Sequence, residues 1–181
     1  TRPDPSMSDL RRFPLHLNKY WYQFAAVWKA LALHREHHFD ATWAMMAHSC
    51  GVPAALFKLF HRDVPFILEL QEGDPLPRIE RLAAPIWPLF VRAFTSADAV
   101  SVISTFLGSW AKRRGARGTV VLVPNGVDYE HFSRPVEQTA LQEVRQKMQR
   151  HSDDTLLITT SRLVPKNAVD DVIRALPEMP E

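Results

Sequence analysis

The sequence is poor in cysteine and glycine, and it has no excess of charge of either sign. Its 181 residues include one cysteine and six glycines, and the formal net charge is +2. Cys50 has no partner for an internal disulfide, and its apolar surroundings are typical of a buried thiol in a reducing compartment. The near balance of charge excludes a strongly basic nucleic-acid-binding protein, so we expect no nucleic-acid partner.

Long hydrophobic runs are also missing. The longest stretch without Asp, Glu, Lys or Arg covers residues 41–57, and Gly51 and Pro53 interrupt it. A membrane-spanning helix needs about 20 apolar residues. No secretory signal pattern opens the chain, which begins with Thr1 rather than Met. We therefore predict a cytoplasmic protein without a transmembrane helix.

The common phosphate-binding and nucleophile motifs do not occur either. The patterns GxGxxG and GxxxxGKS/T are both absent, so a dehydrogenase or a P-loop NTPase has no positive support. No Ser-His-Asp or Cys-His motif context is present. His34, His37 and His38 cluster near the end of a predicted helix, but no second pair of ligands accompanies them, and we predict no metal site.

The first 135 residues carry short apolar segments that alternate with helical patterns. A helix is predicted over residues 18–37, with Asn18 as its N-cap. Its apolar face would consist of Trp21, Phe24, Ala25, Trp28, Leu31 and Ala32. Strands are predicted at 41–47, 66–70, 99–103 and 119–123, and the run at 41–47 is typical of a strand buried on both faces. The alternation predicts an α/β fold with a Rossmann-like parallel sheet and helices on both faces.

A second unit is predicted after a polar linker. Residues 136–152 are interpreted as a linker and a charged connecting helix, and 155–161 as a new apolar strand followed by a helix over 169–176. We therefore divide the chain into a first domain (1–135), the linker (136–152) and the start of a second domain (153–181). One strand and one helix cannot bury a core, so the sequence is expected to be an internal fragment of a longer protein.

Two segments together resemble a known family. VPNGVDYEHF (123–132) and TTSRLVPKNAVDDVIRAL (159–176) resemble the hallmark segments of family 4, or group 1, of the glycosyltransferases, in the same order and at the same spacing. The resemblance implies a two-domain GT-B fold and a retaining transfer of sugar from a nucleoside diphosphate sugar to an acceptor hydroxyl. It implies no cofactor, and the acceptor would be a glycan or a lipid-linked molecule, as in cell-envelope polysaccharide or glycolipid synthesis.

The second segment carries the predicted donor site. Arg162, Lys166 and Asn167 follow a predicted strand at the edge of a sheet where ligands bind, and two cations would neutralise a diphosphate leaving group. Their alternative role is that of solvated turn charges. The spacing departs from the family pattern, because the lysine comes one residue early and Ala168 replaces a glycine. The family's downstream glutamate pair is absent up to Glu181, so this chain alone is expected to be inactive.

Further candidates follow the predicted strands of the first domain. Glu72 and His48 are candidate catalytic residues, with a helix-capping carboxylate and a core histidine as the alternatives. Gln71 stands where the family often has a histidine. Asn125 and Gly126 are expected to form a turn in which Gly126 has a positive φ, and by resemblance this loop would line the interdomain cleft.

One basic cluster and one rival function complete the sequence predictions. Lys112, Arg113, Arg114 and Arg117 form either a helix end or a contact with anionic membrane, the latter giving peripheral attachment at the inner face. The rival to an active transferase is a non-catalytic homologue that serves as a scaffold or regulatory partner. A sugar-nucleotide enzyme such as an epimerase is a third alternative.

Overall fold

The structure is a computed structural model that describes residues 12–149, 151, 154–164 and 167–178. The chain divides into two compact units, the first ending at Asn125 and the second beginning at Gly126. The predicted domain boundaries at 135 and 153 stay predictions.

The first unit alternates helices and strands as the sequence predicts. Its elements are α1 (Arg12–His37), β1 (Thr42–Met45), a π-helix (Met46–Gly51), α2 (Val52–Phe60), β2 (Phe66–Leu70), α3 (Leu76–Ala83), a 3-10 turn (Ala84–Ile86), α4 (Trp87–Thr95), β3 (Ala99–Val102), α5 (Thr105–Arg113) and β4 (Thr119–Leu122). Ser104 caps α5 by accepting a hydrogen bond from the Leu107 amide, and Gly115 follows the helix with a φ of 87°. Both ends of α5 thus carry local signals that stabilise a helix terminus.

The described strands form one parallel sheet in the order β1-β2-β3-β4. Thr42 lies opposite Phe66, Ile67 opposite Ala99, and Ala99 opposite Thr119. Every strand is therefore parallel to the strand that follows it along the chain. This arrangement confirms the predicted α/β, Rossmann-like fold class.

Helices cover one face of this sheet in the described residues. Right-handed crossovers between successive neighbours place the connecting helices on the same side. The strand residues that face them are fully or almost fully buried: Ala44, Phe66, Leu68, Leu70, Val100 and Val102. On the opposite face the side chain of Trp43 is 65% exposed, and Ile67 and Val121 are also exposed. The expectation that residues 41–47 are buried on both faces is therefore wrong.

Helix α1 differs from its prediction at both its start and its buried side. It begins at Arg12, so Asn18 lies inside the helix and does not cap it. The predicted apolar face is exposed at Trp21, Phe24 and Trp28, whereas Gln23 is only 5% exposed. The side of α1 that carries Gln23 lies against the π-helix instead, and the Gln23 side-chain amide donates to the carbonyl of His48 at 3.0 Å.

A salt bridge joins α2 to the sheet at the edge where the strands begin. The Asp98 carboxylate accepts hydrogen bonds from the Lys58 ammonium at 2.8 Å and from the Phe66 amide at 2.7 Å. Partial burial opposes ionisation of Asp98, but these hydrogen bonds and the Lys58 charge outweigh it and lower the pKa of the carboxyl. The hydrogen bond between Asp98 and the Phe66 amide thus connects the beginning of β2 to the loop before β3.

The second unit is helical in its described residues and carries no buried side chain there. Its helices are α6 (Tyr129–Phe132), α7 (Gln138–Lys147) and α8 (Val169–Ala175), with a 3-10 turn at Leu176–Glu178. The predicted strand at 155–161 is wrong, because no described segment pairs with these residues. Without a ladder of hydrogen bonds the segment cannot form a strand, and Leu156, Leu157 and Ile158 stay exposed.

Candidate functional site at the sheet edge

The candidate site of the first unit lies where β1, β2 and β3 end. After β1 the chain reverses at Met46, whose φ of 69° is in the left-handed region, and continues into the π-helix. Such π-helical segments are rare and are often found at functional sites. Gly51 ends the π-helix against the sheet, where an added Cβ would lie 3.1 Å from Leu68 Cδ1 and 3.2 Å from Ala93 Cβ.

Glu72 links the segments that follow β1 and β2. It follows β2, and its Oε1 accepts a hydrogen bond from the Ala47 amide of the π-helix at 2.9 Å. The structure thus brings the loops that carry Glu72 and His48 together, as expected for residues at one sheet edge. The second carboxylate oxygen, Oε2, is buried and has no hydrogen-bond partner among the described residues.

The environment of Glu72 favours its neutral form. Burial raises the pKa of this carboxyl, while the hydrogen bond from the Ala47 amide opposes the change and is outweighed. A carboxyl with a raised pKa can take up or release a proton closer to neutral pH than an exposed glutamate can.

His48 is half-buried and is fixed from two directions. Its Nε2 lies 3.2 Å from the hydroxyl of Ser49, and its backbone carbonyl accepts the hydrogen bond from Gln23. Gln23 was not among the residues predicted from the sequence. The feature that could have identified it is an amide side chain in an otherwise apolar part of the helix. Gln71 lies beside the site, where its side-chain amide donates to Glu69 Oε1. The catalytic roles of His48 and Glu72 and the cleft role of Gln71 stay predictions.

The Asn125–Gly126 segment does not form the predicted turn. Among the described glycines only Gly115 has a positive φ, and a Cβ added to Gly126 would meet no atom within 4 Å. The chain makes no sharp reversal at this point, so no glycine conformation is required. A contribution of Asn125 and Gly126 to the cleft stays a prediction from the resemblance.

In the second unit, Arg162 and Asn167 form a local turn. The Arg162 carbonyl accepts hydrogen bonds from the Asn167 side-chain amide and from the Val164 backbone amide, both at 2.8 Å. Lys166 lies outside the described residues. Asn167 thus holds the backbone of Arg162, whose side chain is exposed.

Ala168 precedes α8 in a strained conformation. Its φ of 50° and ψ of 33° are left-handed, a region that favours glycine. The replacement of the family's glycine by alanine therefore has a physical consequence here. Asp170 and Asp171 occupy the first turn of α8 and pair with Arg174 at 2.9 and 3.1 Å. Their negative charge works against an anion site at this helix terminus.

Among the basic residues at the end of α5, Arg114 makes contacts within the protein. Arg114 forms an ion pair with Glu80 at 2.7 Å, and its guanidinium lies 5.2 Å above the Trp87 ring. The same Glu80 oxygen accepts a hydrogen bond from the buried indole of Trp110 at 2.8 Å. Arg114 therefore connects α5 to α3, and an interaction with membrane is left to the exposed residues Lys112, Arg113 and Arg117.

The histidines of α1 pack against aromatic rings. His34 Nδ1 accepts a hydrogen bond from the Phe39 amide at 3.0 Å, and its ring centre lies 4.2 Å from that of His61. In the part of the chain that the structure describes, no group of three or more His, Cys, Asp or Glu residues is arranged to hold a metal ion.

The first unit is an open parallel α/β sheet, a class of domain whose ligands generally bind beyond the carboxyl ends of the strands, which is the edge where Glu72 lies. The model of Glycosyltransferase Family 4 matches residues 3–131, and the chain belongs to this family. The match includes nearly all of the first hallmark segment and ends before the second. No curated protein matches the chain. Among the described residues, no helix has the length and apolar character needed to cross a membrane.

Proposed function

We propose that this chain belongs to a retaining glycosyltransferase that moves a sugar from a nucleoside diphosphate sugar to an acceptor hydroxyl. The first unit is proposed to bind the acceptor, and the Arg162 segment is proposed to bind the donor diphosphate. Family membership supports glycosyl transfer in general. The acceptor is proposed to be a glycan or a lipid-linked molecule of the cell envelope, and the protein a cytoplasmic one at the inner face of the membrane.

The observation that carries the proposal is the carboxylate of Glu72. Its Oε1 is held by the Ala47 amide, and its Oε2 is buried without a partner among the described residues. An unsatisfied buried acceptor is unfavourable until a donor reaches it. An acceptor hydroxyl is such a donor, so Glu72 would orient the hydroxyl oxygen towards the anomeric carbon. His48 would line the same edge.

The reaction forms a bond between the acceptor oxygen and the anomeric carbon, and breaks the bond from that carbon to the diphosphate. The hydroxyl proton passes to an oxygen of the departing diphosphate. Negative charge develops on the departing diphosphate, which Arg162, Lys166 and Asn167 are proposed to stabilise. An arginine presents a planar fork of donors that suits a phosphate. Catalysis would thus depend mainly on positioning and on electrostatic stabilisation of the leaving group.

The test uses the complete gene product that contains this chain, with uridine, guanosine and adenosine diphosphate sugars as donors. Donor binding is measured by calorimetry, and transfer by release of nucleoside diphosphate in the presence of acceptor glycans. We expect Arg162→Ala to weaken donor binding about tenfold or more, which is the loss of one charged hydrogen bond. We expect Glu72→Gln to leave donor binding unchanged and to reduce transfer about a hundredfold.

Arg134→Ala and Glu36→Gln are the matched controls, because both residues are exposed and lie outside the proposed site. They should behave as wild type. If none of the donors binds and none is consumed, the protein is a non-catalytic member of the family. If the donor is altered without an acceptor, an epimerase or a related sugar-nucleotide enzyme replaces the transferase proposal.

A further inference from the structure

An apolar groove lies between α1 and α2, on the side of α1 that the sequence predicts to be buried. Phe24, Trp28 and Leu31 line it from α1, and Leu56 and Phe60 line it from α2. The cavity has a volume of about 460 Å³, within the range of pockets that hold small organic ligands. Trp28 is 75% exposed and Phe60 is 66% exposed, so the walls of the groove are in contact with solvent.

The groove has a cationic end. Arg35 and His61 line it beyond the aromatic residues, and Arg35 forms no ion pair among the described residues. Arg35 follows Leu31 by four residues and Trp28 by seven, so it lies on the same helical face. The His61 ring is held by stacking on Phe57 at 4.9 Å and by its contact with His34. A positive group therefore lies at one end of an otherwise apolar channel.

We infer that this groove binds a single aliphatic chain that carries an anionic head group, such as a carboxylate or a phosphate monoester. The chain would lie between the aromatic side chains of α1 and those of α2, and the head group would meet Arg35. Burial of methylene groups supplies the affinity, and the guanidinium supplies selectivity for an anion. The site is separate from the candidate site at Glu72, because α1 and α2 both end near the opposite edge of the sheet, where β1 and β2 begin.

The charges of this surface favour a single amphiphile over a bilayer. Recognition of an anionic membrane depends on clusters of four to eight basic residues. The exposed residues of α1 around the groove include Lys29 and Arg35, and the acidic Glu36 adjoins them. Arg35, at the end of an open apolar groove, suits one head group.

The probe is a dibrominated C18 carboxylate below its micellar concentration, because bromine quenches tryptophan fluorescence at short range. We expect saturable quenching with one ligand per chain, and loss of most of the quenching in Trp28→Phe. Arg35→Gln and Phe60→Ser should each weaken binding about tenfold, one by losing the charged contact and the other by losing apolar burial. A nonionic detergent of equal chain length should compete weakly.

Arg62→Gln and Phe106→Ser are matched controls, since both side chains are exposed and neither lines the groove. They should bind the probe with wild-type affinity. Circular dichroism verifies the fold of every variant. Equal affinity in the groove variants and the controls would overturn the inference. So would binding to phosphatidylglycerol vesicles without binding of the monomeric carboxylate, or a concentration-dependent dimer that Phe60→Ser abolishes.

Discussion

At the residue scale, the burial of one carboxylate opposes stability. Glu72 is buried at the end of β2, one of its oxygens lacks a partner among the described residues, and its pKa is raised by burial. A group with a raised pKa in the folded state binds its proton more tightly there than in the unfolded chain. Its ionisation therefore lowers stability as the pH rises above the ordinary glutamate value of about 4.3 and through the folded-state pKa.

We predict that Glu72→Gln stabilises the protein at neutral pH. Glutamine keeps an oxygen for the Ala47 amide and removes the buried charge, so the melting temperature at pH 7 should rise by about 2–4 °C, corresponding to ~1 kcal/mol. Below pH 4 both side chains are neutral and the difference should vanish. Thermal unfolding at the two pH values, with Glu36→Gln as the exposed control, measures this. A difference that persists at low pH would show that charge burial is not its cause.

Ala168 shows what a residue-level comparison of sequences can predict. Alanine at the family's glycine position is visible from the sequence, and the structure places it at a φ of 50°. The carboxyl oxygen of Glu72 left without a hydrogen bond could not be predicted, since it depends on how the π-helix folds over the loop after β2. Gln23 was missed for a similar reason, because its partner is a carbonyl 25 residues away.

At the scale of elements, two glycines have opposite consequences. Gly51 lies where the π-helix meets the sheet and α4, and a Cβ there would crowd Leu68 Cδ1 and Ala93 Cβ. Leu68 is fully buried and Ala93 is fixed on a helix, so neither can move aside freely. Gly126 has an ordinary φ, and a Cβ there would have free space.

We predict that Gly51→Ala lowers the free energy of unfolding by about 1–3 kcal/mol, through overpacking. Gly126→Ala should be neutral or stabilise by up to about 1 kcal/mol, because alanine restricts the unfolded chain without strain in the folded one. Urea denaturation of both variants measures the two effects. Equal stability of the two variants would contradict the packing argument.

Element boundaries were predictable where local signals agree. In the sequence, Ser104 and Gly115 mark the two ends of α5. The strands β2, β3 and β4 begin and end within one residue of their predicted bounds. The buried side of α1 was not predictable, because its aromatic stripe has the spacing typical of a core face. The side of α1 that carries Gln23 lies against the π-helix instead. The apolar segment 155–161 has strand composition but no partner strand among the described residues.

At the scale of the whole molecule, stability is expected to reside in the first unit. The described residues from Gly126 onward include no buried side chain, whereas the first unit contains an apolar core around Phe90, Phe94 and Trp110. Segments with few buried contacts open locally at low free energy. The alternation of strands and helices in the sequence predicts the Rossmann-like class. It does not predict that the first unit has a buried core and that the second has no buried side chain in its described residues.

We predict that trypsin first cleaves the native chain at Arg145 or Lys147, both exposed in the second unit. The fragment that ends near Arg145 should keep cooperative thermal unfolding, with a midpoint within about 2 °C of the intact chain. Mass spectrometry identifies the cleavage sites, and calorimetry measures the midpoint. First cleavage within the sheet, or non-cooperative unfolding of the fragment, would contradict the prediction.

The strand order β1-β2-β3-β4 also bears on how the molecule is made. Each strand finds its hydrogen-bonding partner in the strand translated just before it, so the sheet can grow by one strand at a time as the chain leaves the ribosome. No strand has to wait for a partner beyond the next crossover connection. The first unit can therefore be assembled as far as β4 while the second is still being synthesised.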